Sequence, residues 1–277
     1  MNESVCSVDN MKHAVSNILW GNSASEPYLE ILASKGCYGI EIAPSLFWTE
    51  PVEGSKNERK KLKNMIQSYG LEIVSFHALL YTRPDLKIFA DEETRQKTKE
   101  YLFQLGYLAA DMGCPLMVLG SPKNRTKSGL NEEEVSLVGI DFFSSLADRL
   151  SSTGVILCIE PLSRQETDFI TSSSEGLAYV KEVDHPNFRL MLDAKSMHME
   201  NEDYNKVVAE CIDCIEHVHA NDPGNSPLGS KGVDHRAFGQ ALRANGYDKV
   251  ISLEVGRGFG DPVVVIRDCL EKMRNYY

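Results

Sequence analysis

The sequence has no run of about 18 apolar residues, the length a membrane-spanning helix needs. Residues 1–15 hold no apolar stretch of signal-peptide length. Both absences point away from the membrane, and a cytoplasmic setting is expected. Positive charge is scarce: 29 Lys and Arg stand against 40 Asp and Glu, a formal net charge of −11. Nucleic acid and anionic membrane both attract a basic face, so neither is expected as a partner. No Pro/Gly/Ser-rich linker and no low-complexity block divides the 277 residues. That length suits one (β/α)8 barrel, so a single domain over 1–277 is expected. The seven cysteines, at 6, 37, 114, 158, 211, 214 and 269, are odd in number and scattered. A disulfide framework does not follow from such a pattern. Cys211 and Cys214 form a C-x-x-C, but no second pair completes a zinc site. They read as small apolar residues at the end of a helix, facing the core.

Against these absences stand four short apolar runs, at 155–158, 189–192, 214–218 and 250–253. They lead into Glu160, Asp193, His219 and Glu254. The endpoints are 33, 26 and 35 residues apart, about one strand plus one helix each time. Four earlier strands are read at 13–19, 39–43, 71–76 and 116–119. Amphipathic helices are read at 27–35, 57–69, 91–112, 131–152, 173–183, 203–212, 234–244 and 262–273. Gly36, Gly70, Gly154 and Gly246 follow four of them at the left-handed cap position. Eight strands alternating with eight helices predict an α/β fold, a (β/α)8 TIM barrel. An open doubly wound sheet is the alternative, but no Gly-rich phosphate loop follows strand one.

Side chains two apart on a strand share a face. Glu160 therefore continues the row of Ile156 and Cys158, Glu254 that of Val250 and Ser252, Asp193 that of Met191, and His219 that of His217. All four would meet at the C-terminal mouth of a barrel, where such folds carry their chemistry. Three carboxylates cannot be buried together without a large penalty from repulsion and desolvation, and a divalent ion relieves it. The donor set, oxygen-rich with one nitrogen and no thiolate, favours Mn²⁺, with Mg²⁺, Co²⁺ or Zn²⁺ as other candidates.

The segments 159–166 (IEPLSRQE), Leu192-Asp193, 217–222 (HVHAND) and Ser252-Leu253-Glu254 resemble the xylose-isomerase-like TIM-barrel superfamily. The likeness is to its sugar isomerase/epimerase branch, typified by D-tagatose and D-psicose 3-epimerases. It implies that Glu160 and Glu254 bind the metal and act as the acid/base pair. It also implies that Asp193 and His219 complete the metal site and that Glu166 contacts substrate hydroxyls. The activity implied is isomerisation or epimerisation of a sugar in carbohydrate metabolism, by proton transfer next to a carbonyl through a metal-stabilised enediolate. The expected partner is a small sugar or polyol-derived substrate, and a homo-oligomer is compatible. Two positions depart from the family pattern. Ser196 stands where the epimerases carry a His after the strand-six Asp, and Asn225 where they carry an Arg after the strand-seven His.

Further substrate-binding candidates are Lys195, His198 and Asn221, together with His77 and Glu41, which continue the barrel-facing rows of strands three and two after Ser75 and Gly39. Asn221-Asp222 can also be a turn, given Pro223-Gly224. His217, one layer deeper, reads as a core histidine. Trp20 and Phe47-Trp48 can wall a pocket or pack the core. Lys123-Asn124-Arg125, after strand four, is either solvated loop charge or a receptor for phosphate or carboxylate. Lyases resembling inosose or dehydroshikimate dehydratase share the metal and the enolate logic. A non-catalytic sugar-binding protein would have no need of an acid/base pair. Apurinic endonuclease-like hydrolases need further His and Asp ligands, and Asp234-His235 are adjacent where that motif needs a residue between them.

Overall fold

The computed structural model describes residues 11–22 and 25–277; Cys6 and the start of the chain lie outside them. The strands are β1 (Lys12–Ser16), β2 (Gly39–Ile42), β3 (Glu72–Phe76), β4 (Leu116–Leu119), β5 (Ile156–Ile159), β6 (Phe188–Asp193), β7 (Ile215–Ala220) and β8 (Val250–Leu253). They pair in parallel and in chain order, and β8 returns to β1, closing the barrel. The helices are α1 (Glu26–Ser34), α2 (Lys56–Ser68), α3 (Glu92–Met112), α4 (Glu132–Leu150), α5 (Ser173–Val183), α6 (Ala194–Met199), α7 (Tyr204–Cys211), α8 (His235–Ala244) and α9 (Pro262–Tyr276). Among the described residues no helix is long and apolar enough to cross a membrane.

The predicted alternation holds because local chemistry starts or stops several helices where the pattern says. Ser55 with Glu58 and Asn131 with Glu134 form capping boxes, and Asp91 accepts the Thr94 N–H at the start of α3. The four glycines expected to close helices all lie at φ between +64° and +75°. The one unforeseen helix is α6. Its six residues are too few for periodicity to register, and it is started by the side chain of Asp193, which accepts the Ser196 N–H at 2.7 Å. Strand one also ends earlier than expected, since residues 17–19 turn into a 3₁₀ helix.

Two cores follow from strand parity. Met117, Leu119, Leu157, Ile159, Leu190 and Leu192 point outward and pack under the helices. Their neighbours Leu116, Val118, Ile156, Cys158 and Met191 form a separate apolar plug inside the barrel. The other half of the interior is polar: Glu41, Ser75, His217, His219 and Ser252 are all fully buried there. A register shift between Ile40 and Glu41 sets Glu41 opposite Ser75. Cys211 is buried at the end of α7, whereas Cys214 is half-buried in a following 3₁₀ turn; both thiols are free.

Candidate metal centre and active-site cavity

Glu160 and Glu254 sit one residue past β5 and β8, and their backbones still extend the sheet. The Glu160 N–H donates to Leu119 O at 3.2 Å and that of Glu254 to Ala220 O at 3.1 Å. Asp193 is the last residue of β6, and His219 lies within β7. The structure brings these four together: one ligand atom from each lies within 4.8 Å of the others, and all four residues are buried. His219 Nδ1 is 3.5 Å from Glu160 Oε1, 3.5 Å from Glu254 Oε2 and 3.9 Å from Asp193 Oδ2. That nitrogen has no hydrogen-bond partner although it is buried. Its ring is held from behind, since Nε2 is 3.0 Å from Glu41 Oε1. An unpartnered imidazole nitrogen facing three carboxylate oxygens, with a second carboxylate orienting the ring, fits a divalent cation.

Electrostatics agree with this fit. Burial opposes charge on His219, but Glu41 and Glu254 outweigh it and hold its pKa well above the ordinary value. Burial raises Glu160, with help from Glu254 and Asp193 and against the pull of His219. Burial also acts to raise Glu254, yet His219 and His77 prevail and hold it well below the usual carboxylate range. Protein charges thus offset the burial of Glu254 but leave that of Glu160 uncompensated, and a dication at the cluster would relieve it.

Above the cluster lies a cavity of about 470 Å³. Of the four clustered residues only Glu160 and Glu254 line it. Gly120, at the end of β4, makes room for the former: a Cβ there would stand 2.2 Å from Glu160 Oε2. His77, Glu166 and Lys195 also line the cavity. His77 Nδ1 is 3.3 Å from Glu254 Oε1, and its Nε2 is 2.7 Å from Ser16 Oγ. Lys195 Nζ donates to Glu166 Oε1 at 3.0 Å, and Ser163 Oγ donates to Oε2 at 3.0 Å, so Glu166 is held across the opening.

Three candidates lie elsewhere. Glu41 is beneath the cluster and fully enclosed: Oε1 accepts from Ser75 Oγ at 2.6 Å and Oε2 from Ser252 Oγ at 3.1 Å. His217 Nε2 joins it at 3.1 Å. Asn221 stands behind the carboxylates, donating from Nδ2 to Asp193 Oδ2 at 2.8 Å and to Glu254 Oε2 at 2.9 Å. His198 is half-buried on α6, away from the cavity lining. Trp20 stacks on Tyr28 with ring centres 4.9 Å apart, and Leu46, not Phe47 or Trp48, lines the cavity. Asp222 forms a turn with Ser226 and holds His235, whose other ring nitrogen is 2.6 Å from the Tyr277 hydroxyl. The basic triplet divides. Lys123 is exposed and lines the cavity, while Arg125 is wholly buried and donates to the Glu160 carbonyl at 2.7 Å. Burial pushes Arg125 down to about 10, even with Glu160, Glu166 and Asp168 nearby.

A family model described as "Xylose isomerase-like TIM barrel" matches residues 29–276. The chain belongs to that family. It is 30% identical over 109 residues to a ketose 3-epimerase of Arthrobacter globiformis, and 29% over 202 residues to an L-ribulose 3-epimerase of a Methylomonas species. The first match covers 39% of this chain and 38% of the relative; the second covers 69% and 67%. The chain thus spans well under half the length of the Arthrobacter protein. A crystal structure of the 3-keto-D-glucoside 4-epimerase of E. coli superposes with a TM-score of 0.80 at 22% identity, covering 96% of this chain and 99% of that one, a likeness of fold.

Sequence reasoning missed Ser16, Gly120, Ser121 and Arg257, all at strand ends or in the loops beyond them. Gly120 had a readable signal, a glycine immediately after a predicted strand, which marks a close approach. Arg257 lies three residues past Glu254, and nothing local says that it faces the cavity.

Proposed function

We propose that the chain is a divalent-metal-dependent sugar epimerase or isomerase that moves a proton next to a ketose carbonyl. The observation that carries this reading is the pair Glu160 and Glu254. They are the two members of the ion-binding cluster that open onto the cavity, and they come from strands separated by β6 and β7. The names of the relatives, ketose and L-ribulose 3-epimerase, describe inversion at a carbon beside a ketone. Inversion there needs a proton removed from one face and another delivered to the opposite face.

Glu160, Asp193, His219 and Glu254 would hold the ion, with Mn²⁺ preferred for this donor set and Mg²⁺, Co²⁺ or Zn²⁺ able to replace it. A bound dication supplies Lewis-acid polarisation of the substrate carbonyl. The rest falls to side chains. One glutamate takes the proton from the carbon beside the ketone, and the bonding electrons pass to the carbonyl oxygen as the enediolate forms. The other glutamate returns a proton to the opposite face, and reprotonation at the neighbouring carbon would give the isomerase outcome instead. Glu166, fixed by Lys195 and Ser163, accepts hydrogen bonds from sugar hydroxyls. Asn221 keeps Asp193 and Glu254 turned toward the ion position. Leu46, Leu80 and Leu162 give the cavity apolar lining and limit water at the reacting carbon. A cytoplasmic setting belongs to the same reading.

Two measurements test it. Ketoses incubated with the Mn²⁺-loaded protein in D₂O are expected to gain deuterium at the carbon beside the carbonyl, read by NMR, without loss of water. Loss of water would make the chain a dehydratase, and no exchange with any ketose would end the reading. Asp193→Asn is expected to lower Mn²⁺ affinity by more than the ~10–100-fold typical of residues one layer out from a metal. Equal metal content in both proteins after dialysis would place the ion elsewhere.

A further inference from the structure

We propose that the molecule taken by this cavity carries an anionic group, a carboxylate or a phosphate, gripped at the rim by the guanidinium of Arg257. This rests on the reading of the cavity as a ketose site and specifies its substrate class.

Arg257 lines the cavity from the loop after β8. Its side chain lies along the backbone of the loop after β1: a Cβ built on Gly21 would meet Arg257 Nη1 at 3.1 Å and Cδ at 3.2 Å. Gly21 itself is at φ +66°, where a side chain is disfavoured, so the seat is kept open by the backbone. The loop is fixed from the other side, where the Gly256 N–H donates to Asn225 O at 2.8 Å, and Asn225 also lines the cavity. Arg257 is therefore seated, yet among the described residues it makes no ion pair and no hydrogen bond. The inner cavity cation, Lys195, is treated differently, being matched to Glu166.

Lys123 repeats the pattern opposite. It follows β4, half-way round an eight-stranded barrel from β8, and its ammonium has no carboxylate partner among the described residues. Ser121, two residues earlier, is held at φ +41° and lines the same cavity with an unpartnered buried hydroxyl. In a chain with eleven more acidic than basic residues, unmatched cations at two sides of one opening run against the overall balance. Three carboxylates facing a dication leave one negative charge and the Glu166–Lys195 pair is neutral, so the two rim cations exceed the charge below them by one, and an incoming ligand meets that surplus. A planar guanidinium presents paired N–H donors that match a carboxylate or a phosphate. The three residues from Glu254 span at most about 11 Å of chain, so the far end of a six-carbon ketose held at the ion site is within its reach.

The test uses the Mn²⁺-loaded protein and three ketoses that differ at one end: D-fructose, D-fructuronate with a terminal carboxylate, and D-fructose 6-phosphate. Binding is measured by calorimetry and deuterium uptake by NMR. At least one anionic ketose is expected to bind about 10–100-fold more tightly than D-fructose, the range of a charge-assisted contact. Which of the two does so tells carboxylate from phosphate. In Arg257→Met that ratio is expected to fall to near one, and in Arg257→Lys to an intermediate value. Equal or weaker binding of both anions by the wild type would overturn the proposal, as would a failure of all three to bind. So would a preference that survives in Arg257→Met, since the anion would then sit on the ion or on Lys123. An equal loss for all three ketoses in Arg257→Met would also overturn it, leaving Arg257 only a packing role on Gly21. Anion-selective binding without deuterium uptake would sink the epimerase reading and leave this inference standing. Uptake without anion selectivity would do the reverse.

Discussion

Glu160→Gln and Glu254→Gln are each expected to lower conversion of a ketose by about 10²–10⁴-fold while keeping the ion. Glutamine preserves the size of the side chain and an oxygen able to ligate, but it cannot accept a proton from carbon. The two variants should fail differently, because in the proposed mechanism each glutamate serves one face of the reacting carbon. With one epimer as substrate, a variant keeps deuterium uptake if its remaining glutamate faces the proton to be removed. With the other epimer it loses uptake, and net inversion is lost with both. The two carboxyls are already unlike before any substrate arrives: burial raises Glu160, while His219 and His77 overcome burial to hold Glu254 low. Metal content, measured on the same samples, separates loss of the base from loss of the ion. If either variant retains its metal and inverts substrate near the wild-type rate, that glutamate is a ligand only and the two-base mechanism is wrong.

Replacing Glu41 should be costly although it never meets solvent or the cavity. Its carboxylate is the one acid among five buried polar side chains and accepts from Ser75, Ser252, His217 and His219. Removing one partner from such a buried charged network typically costs about 3–5 kcal/mol. For a chain of this size Glu41→Ala is therefore expected to lower Tm by roughly 6–20 °C, read by calorimetry in EDTA. Glu41→Gln keeps the volume but gives one end N–H donors where an acceptor is needed. It is expected to weaken Mn²⁺ binding by ~10–100-fold, because His219 loses the carboxylate that orients its ring. The acid side supplies a sign. Burial raises the Glu41 pKa, but His219 and His77 prevail and hold it well below 4.5. Its stabilisation is then complete above pH 4.5 and lost as pH falls below it, so wild type and Glu41→Gln should converge in acid. A Glu41→Gln protein with unchanged Tm and Mn²⁺ affinity would show the network to be dispensable.

Glu41 also marks where reading the chain reaches its limit. From sequence it continues a barrel-facing row just as Glu160 and Glu254 do, and a contact with substrate hydroxyls follows from that placement. It lies instead inside β2, not past its end, and so below the level of the cluster, opposite Ser75 where the register shifts. Arg125 shows the same limit in a loop, since three basic or polar residues in a row look solvated. Yet the chain folds so that Lys123 faces the cavity and Arg125 is enclosed against the Glu160 carbonyl.

What the sequence by itself determined is the barrel, the order of its strands and of every helix but α6, and the quartet Glu160, Asp193, His219 and Glu254. These rest on short-range physics: the two-residue period of a strand, capping side chains within a helical turn, and a repeat of one strand and one helix. Each of those is complete within a few tens of residues and survives in a linear string of letters. Tertiary structure alone decided that Glu41 supports His219 from below, that Asn221 orients two carboxylates, and that Arg257 is seated on Gly21. Those contacts join residues 28 to 236 positions apart, as Asn221 with Asp193 and Arg257 with Gly21 mark the two extremes. They exist only once the ring of strands has closed and set its registers, because closure, and no local preference, brings the first and last strands into contact.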